Sequence, residues 1–410
     1  MASHVVIRAL PFATKFPRRH AKDILASDRA RAKKLLRGCQ PHGPAAFKHR
    51  TTLTADRQSF AKTDAAASDA DDTVPVTDAT VTYTLSVGVG SPATDYTLLI
   101  DTGSSNTWVG ADKKYKETST SKSTGHKFNV SYGSGKVSGT EYTDQVTLGD
   151  DLVIKSQSIG VASSAQGFND VDGILGIGPV DLTQGTVAST SSVPTVTDNL
   201  YKQGTIPTES IGIFYQPTTS TEEVANGEMT FGGTDDERFT GQITYTPITS
   251  TSPASNYWGI DQTVTYGEDG TTLMDNLAGI VDTGTTLLLI ATDAFQKYQK
   301  ATGATLDNST GLLTITEDQY NSLKSLFFKI GDTTFEFTPN AQIWPRKLNS
   351  LLGGEDNKIY LVTSDMGSES GQGLDFIDGF AFLQRFYSVY DTTNSRVGLA
   401  KTEYTNATTN

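Results

Sequence analysis

Between residues 81 and 101 the chain alternates apolar and polar positions with period two: Val81, Tyr83, Leu85, Val87 and Val89 interleave with Thr82, Thr84, Ser86 and Gly88. Successive side chains of a strand face opposite ways, so this run reads as a half-buried strand. The turn formers Gly90-Ser91-Pro92 come next, and then a second run that closes on Leu98-Leu99-Ile100 and Asp101. Together they predict a β-hairpin that delivers a carboxylate at its end. A similar apolar approach, Gly279-Ile280-Val281, leads into Asp282. Helical periodicity is scarce by contrast. It predicts helices over residues 22–37 before Gly38, over 196–203 before Gly204, over 293–301 before Gly303, and a shorter one over 319–327. With 38 glycines and frequent Thr and Ser, the pattern predicts a mostly β protein.

Both aspartates open the same short pattern, Asp101-Thr102-Gly103-Ser104 and Asp282-Thr283-Gly284-Thr285. An apolar strand that feeds a tight loop places its carboxylate where solvation is poor, which is costly unless the charge is used. A chain of 410 residues can hold two units of ordinary domain size. The economical reading is therefore two related lobes, each giving one aspartate to a shared site. The expected division is a basic leading segment and linker over 1–70, a first lobe over 71–245 and a second over 246–410. Two carboxylates a few Å apart cannot both ionise readily and so share a proton; one acts as base toward water while the other polarises a carbonyl. Such a pair hydrolyses an amide without a covalent intermediate. Gly103 and Gly284 permit the sharp turn, Thr102 and Thr283 offer hydroxyls to cross-link the loops, and Ser104 and Thr285 offer hydrogen bonds to the outer carboxylate oxygens.

Composition removes the competing chemistries. The histidines are His4, His20, His42, His49 and His126, and the sole cysteine is Cys39, so the chain beyond residue 50 has one His and no Cys. Cys-His nucleophilic catalysis there is excluded, and a His/Cys metal cluster is not expected. His126 lies in a polar stretch with no Gly-x-Ser-x-Gly elbow and reads as a surface residue. Acid–base chemistry falls to carboxylates, with no metal and no cofactor implied.

Charge is divided unevenly. Residues 1–62 carry 14 Lys and Arg against 3 Asp and Glu, whereas the remainder carries 19 against 43. With no aromatic interleaving and no nucleic-acid motif, the basic segment is expected to lie on the acidic body rather than on a nucleic acid. An acidic body repels itself least when its carboxylates are protonated, which suits it to low pH. Residues 63–80, rich in Ala, Ser, Asp and Thr, read as an exposed linker and a cleavage region. No 18-residue apolar run is present, so no membrane span is expected. The apolar stretch Val5–Ile7 is too short for a secretory signal core.

On several stretches the chain resembles the pepsin-like aspartic endopeptidases, most closely their basidiomycete, polyporopepsin-type branch. They are Asp101-Thr102-Gly103-Ser104-Ser105-Asn106-Thr107-Trp108-Val109, Tyr132-Gly133-Ser134-Gly135, Asp172-Gly173-Ile174-Leu175-Gly176-Ile177-Gly178, Val281-Asp282-Thr283-Gly284-Thr285-Thr286, and the C-terminal run from Phe382 to Leu399. The resemblance covers about residues 75–402. It implies a bilobal β fold with the cleft between the lobes, with Asp101 and Asp282 as the dyad. It also implies Tyr132 at the tip of a mobile flap with Gly133, Ser134 and Gly135 at its turn, and Trp108 bracing the tyrosine. Leu99, Phe168 and Ile174 are candidate lining of the pocket that precedes the scissile bond. The basic segment becomes a propeptide that covers the cleft of a zymogen, with Lys48 or Lys62 as the cation that neutralises the dyad. The implied partners are polypeptide substrates, the chain's own propeptide and pepstatin-type inhibitors, with no nucleic acid and a monomeric state. The implied location is extracellular or vacuolar, by the secretory route. Asn129, Asn308 and Asn406 open glycosylation sequons.

One departure from the family pattern stands out, and Ser134 carries a second expectation. Where the first lobe has Ile174-Leu175-Gly176, the second has Ile377-Asp378-Gly379. Asp378, close to the Asp282 loop, is expected to be partly desolvated, and is either protonated at the working pH and a modulator of the activity profile or only a hydrogen-bonded turn residue. Ser134 stands where relatives that accept Lys before the scissile bond carry Asp, which points to large apolar or aromatic residues there. A relative that has lost activity and survives as a binding protein would show losses at the dyad or its glycines, and none is seen. A glycosidase also uses paired carboxylates, but neither the duplication nor the flap follows from that.

Overall fold

The computed structural model describes residues 5–15, 20–38, 82–133, 135–268 and 270–410. The fold is mostly β and bilobal, built on a 13-stranded sheet and a 7-stranded sheet. The hairpin read from the alternating pattern is formed by Thr82–Val89 and Thr94–Asp101, in register from Thr84 opposite Leu99 to Val89 opposite Thr94. Tyr83, Leu85, Val87, Leu98 and Ile100 are buried in the core, and Thr84 and Ser86 take the more exposed face.

The two aspartates are held by the same local arrangement. In the large sheet, Gly173–Gly176 runs parallel to the strand ending at Asp101, with Ile100 opposite Leu175, and antiparallel to Thr107–Val109, with Thr107 opposite Leu175. In the smaller sheet, Phe376–Asp378 runs parallel to the end of Thr271–Val281, with Val281 opposite Asp378, and antiparallel to Leu288–Ile290, with Leu288 opposite Asp378. Leu175 and Asp378 therefore occupy equivalent places beside the two loops. The last two strands, Phe386–Asp391 and Arg396–Lys401, return to the large sheet and pair with Ser210–Tyr215 and Thr240–Pro247.

The leading segment supplies a strand that the pattern did not reveal. Strand β1, Arg8–Lys15, lies between Val224–Phe231 and Thr82–Val89, antiparallel to both. Pro11 hid it, because proline demotes a run from a sheet interior; here Pro11 faces solvent while Leu10 and Phe12 are buried. The ring of Phe12 rests on Gly227, where a Cβ would come within 1.9 Å of it, and meets Tyr83 and Tyr215 edge to face. Helix α1 follows over Ala21–Leu36. Lys48, Lys62 and the linker over 63–80 lie outside the described residues, as does Ser134.

The helices read over 196–203 and 293–301 form over Val196–Lys202 and Thr292–Thr302, the second stopped by Gly303 at φ 68°. The helix expected over 319–327 does not form. Thr316 caps a short helix, Glu317–Asn321, in a reciprocal box with Gln319, and Leu326–Ile330 is a strand. Burial of Leu326, Phe328 and Ile330 on one strand face decides that stretch, since period two cannot be served by a helix. Among the described residues, no helix is long and apolar enough to cross a membrane.

Candidate active site

Asp101 and Asp282 come together at the meeting of the two sheets, both fully buried. The loops that carry them are tied reciprocally: the Thr102 N–H donates to Thr283 Oγ1 at 3.1 Å, and the Thr283 N–H donates to Thr102 Oγ1 at 2.9 Å. Thr283 Oγ1 also donates to the Ile100 carbonyl at 3.2 Å. Each carboxylate is then fixed by its own loop. The Gly103 N–H donates to Asp101 Oδ1 at 3.0 Å and Ser104 Oγ to Asp101 Oδ2 at 2.5 Å; the Gly284 N–H donates to Asp282 Oδ1 at 3.1 Å and Thr285 Oγ1 to Asp282 Oδ2 at 2.7 Å. Held this way, the inner oxygens face each other with little freedom to rotate, which is the geometry a proton-sharing pair needs.

Between them sits a guanidinium. Arg31 Nη2 donates to Asp101 Oδ1 at 2.5 Å and to Asp282 Oδ1 at 2.8 Å, and its Nε donates to Asp282 Oδ2 at 2.6 Å. One nitrogen bonds both inner oxygens, so the carboxylates are close enough to be served by a single small group. The glycines make the room: a Cβ on Gly103 or Gly284 would fall within 2.3 or 2.4 Å of the same Nη2. For Asp282, burial works to raise the pKa, but the adjacent Arg31 charge and its hydrogen bonds, with Thr285 and Gly284, win and lower it. For Arg31, burial works against its charge, and the two carboxylates overcome it and raise the pKa well above the ordinary value.

Lys48 and Lys62, expected as the countercharge, lie outside the described residues; among those described the countercharge is Arg31 of α1. The sequence carried a signal for it. The buried residues of α1 are Ala21, Ile24, Leu25, Ser27, Asp28, Arg31, Ala32 and Leu35, an apolar stripe at a spacing of three and four interrupted by two charges. A charged residue inside an apolar stripe needs a partner, and Asp28 and Arg31 are two such residues. Asp28 also reaches the second loop: its Oδ1 accepts from the Thr286 N–H at 3.2 Å and its Oδ2 from the Leu287 N–H at 2.9 Å. Burial pushes the Asp28 carboxyl up to about 7, against those two bonds and the Arg31 charge.

Tyr132 lies at the tip of the hairpin formed by Lys122–Ser131 and Lys136–Gly149, closed by the Tyr132 N–H donating to the Gly135 carbonyl at 2.7 Å, with Gly133 at φ 84°. Trp108 Nε1 donates to Tyr132 Oη at 2.9 Å. Leu99, Phe168 and Ile174 pack in one apolar cluster with Trp108 and Tyr132, and Phe168 meets both rings edge to face. Helix α1 covers this tip: Lys34 Nζ lies 5.3 Å from the Tyr132 ring centre, and a Cβ on Gly133 would meet the Ala30 carbonyl oxygen at 2.9 Å.

Asp378 is fully buried beside the second loop, and its carbonyl accepts from the Asp282 N–H at 3.2 Å. Its Oδ1 accepts from Gln262 Nε2 at 3.3 Å, whereas Oδ2 and the Gln262 Oε1 have no hydrogen-bond partner. Burial pushes the carboxyl up to about 8, opposed only by the Gln262 bond. A proton on Oδ2 supplies the donor this pair of acceptors lacks.

Comparison with known proteins gives the family. The eukaryotic aspartyl protease family model matches residues 82–402. Polyporopepsin of Irpex lacteus is 63% identical over 339 residues, covering 82% of this chain and 99% of that protein. Rhizopuspepsin-1 of Rhizopus niveus is 35% identical over 289 residues, covering 67% of this chain and 70% of its own. The crystal structure of the Irpex lacteus aspartic proteinase superposes with a TM-score of 0.78 at 63% identity, covering 80% of this chain and 96% of that one. The chain belongs to the pepsin-like aspartic endopeptidases.

Proposed function

We propose that this endopeptidase is acid-active and made as a latent precursor, with Asp101 and Asp282 as its catalytic pair. The observation that carries the reading is the single Arg31 nitrogen bonded to the inner oxygens of both carboxylates. Once α1 leaves, the pair shares one proton. The ionised carboxylate takes a proton from water as the oxygen attacks the peptide carbonyl carbon, while the protonated one donates to the carbonyl oxygen. The tetrahedral product then collapses with proton transfer to the amide nitrogen, and the C–N bond breaks. Tyr132 on its hairpin closes over the peptide, with Trp108 bracing it.

Latency follows from the charge balance of the cleft. A carboxylate whose pKa is lowered in the docked state stabilises docking above the ordinary carboxylate range and loses that contribution as pH falls through its depressed value. Asp282 is such a group, so acid releases α1. The apolar cluster containing Leu99, Phe168 and Ile174, with Ser134 in place of Asp, supports a preference for large apolar or aromatic residues before the scissile bond; efficient cleavage after Lys there would contradict it. A relative named vacuolar protease A, from Aspergillus fumigatus and 31% identical over 338 residues, supports an extracellular or vacuolar destination. A monomer inhibited by pepstatin-type compounds completes the reading. The test is acidification of the full chain to about pH 3–4, where ordinary carboxylates protonate, followed by mass spectrometry and digestion of a denatured protein with and without pepstatin. Loss of the leading segment with pepstatin-sensitive digestion is expected, and pepstatin-resistant digestion would overturn the assignment.

A further inference from the structure

Helix α1 lies across the cleft, and its polar side chains report what the cleft walls bind. Arg31 takes the dyad and Asp28 takes two backbone N–H groups just beyond it. Arg29 goes elsewhere: its Nη2 donates to Asp365 Oδ2 at 3.1 Å and its Nε to the Asp365 carbonyl at 2.8 Å. Asp365 ends the strand Thr363–Asp365, which runs parallel to Leu288–Ile290, the strand that leaves the Asp282 loop. Its other carboxylate oxygen is already committed, since Oδ1 accepts from Thr292 Oγ1 at 2.7 Å and from the Gly367 N–H at 2.8 Å. The carboxylate is thus locked in place by its own lobe with Oδ2 turned outward. A carboxylate fixed through one oxygen and offering the other, together with a carbonyl, is a prepared seat for a guanidinium or ammonium group.

We propose that Asp365 is a specificity-determining residue: once α1 has gone, it receives a Lys or Arg side chain of the peptide substrate in the place Arg29 holds in the latent chain. The proposal rests on the reading that α1 lies where substrate will lie. The Cα atoms of residues 29 and 31 are about 5 Å apart on a helix. The span from the seat to the dyad is thus two arginine side chains and one such step, no more than roughly six residues of extended peptide at about 3.3 Å each. The basic residue therefore falls within that distance of the scissile bond, and apart from the position directly before it, where the apolar cluster beside Tyr132 lies. An acidic body reinforces the choice of sign.

The test uses the processed enzyme on peptides that carry Arg, norleucine or Glu at one varied position, up to six residues on either side of the cleaved bond, at about pH 5, above the ordinary carboxylate range. A single position is expected at which Arg improves kcat/KM two- to fivefold over norleucine, through KM, the size of a partly exposed ion pair. Glu is worse there, and about 0.5 M salt erodes the gain. Asp365→Asn, which keeps its place for Thr292 and Gly367, should equalise Arg and norleucine by raising KM for the Arg peptide. Equal rates for Arg and norleucine at every position, or a preference that survives Asp365→Asn, overturn the proposal while leaving the cleft assignment intact. A processed enzyme that cleaves none of the peptides refutes the assignment itself.

Discussion

The two Asp-Thr-Gly loops share a backbone and differ in what lies beside it. Ile100 pairs with Leu175 as Val281 pairs with Asp378, and the strand six residues beyond each aspartate pairs with the same two residues, Thr107 with Leu175 and Leu288 with Asp378. Beside the Asp101 loop the matching position is the buried, apolar Leu175. Around Asp282 two further carboxyls are buried, Asp378 in the body and Asp28 on α1, both pushed up by desolvation, to about 8 and about 7. Repetition of the fold fixes where the paired carboxylates sit, while the unmatched neighbours set how the second half responds to pH.

The largest way to break this comparison is at the guanidinium both loops share. Arg31→Ala leaves two buried carboxylates facing each other with no cation, and losing one partner of a buried pair costs about 3–5 kcal/mol. Loss of latency is expected, seen as cleavage of a quenched peptide by the full chain at about pH 6, where ordinary carboxylates remain ionised and the unaltered chain stays silent. A variant as silent as the parent at that pH would show that α1 is held by other contacts.

Exchanging the unmatched neighbours sharpens the comparison. A carboxyl whose pKa is raised in the folded state gives its full stability below the unfolded value, near 4, and loses it as pH rises through the folded one. Asp378 therefore favours the fold in acid and penalises it between about pH 4 and about 8. Asp378→Asn keeps the Gln262 contact, should leave activity at about pH 3–4 unchanged, and should move neutral-pH unfolding up by about one pH unit or more. Leu175→Asp should do the reverse to the first loop, unfolding it at lower pH. Circular dichroism across a pH series reads both, and if neither variant shifts the midpoint, Asp378 is an ordinary hydrogen-bonded residue.

The smallest effect is expected on α1. Asp28 carries the same sign as Asp378, so its contribution to docking fades as pH rises toward about 7, opposite to the release by acid at Asp282. Asp28→Asn, which removes that titration, should extend latency toward higher pH by a few tenths of a unit, measured by limited proteolysis of the leading segment. Narrower latency would mean that the charge on Asp28 holds the helix through the Thr286 and Leu287 N–H groups.

Much of this was legible in the chain because it rests on local pattern. The hairpin to Asp101 follows from strict alternation and the meeting of Asp101 with Asp282 from a duplicated turn, whereas the flap role of Tyr132 comes only from the family resemblance. What was hidden rests on partners distant in sequence. β1 is a strand because two other strands frame it, although Pro11 argues against it in isolation. Arg31 is a dyad ligand only because α1 crosses both loops; as a charge inside an apolar stripe it signals in the sequence that it needs a partner, but not which one. The helix expected over 319–327 failed for the same reason, since Leu326–Ile330 is a strand by virtue of the two strands beside it.

The central claim is that hydrolysis is carried by the two carboxylates that Arg31 now bridges. The most direct measurement compares the full chain with its Asp282→Asn variant, both acidified to about pH 3–4, where ordinary carboxylates protonate, by mass spectrometry and by digestion of a denatured protein. The variant is expected to fold, to keep its leading segment and to digest nothing, at a loss of at least about a thousandfold, while the parent sheds the segment and becomes active. Digestion by the variant at a rate near the parent's would contradict the account.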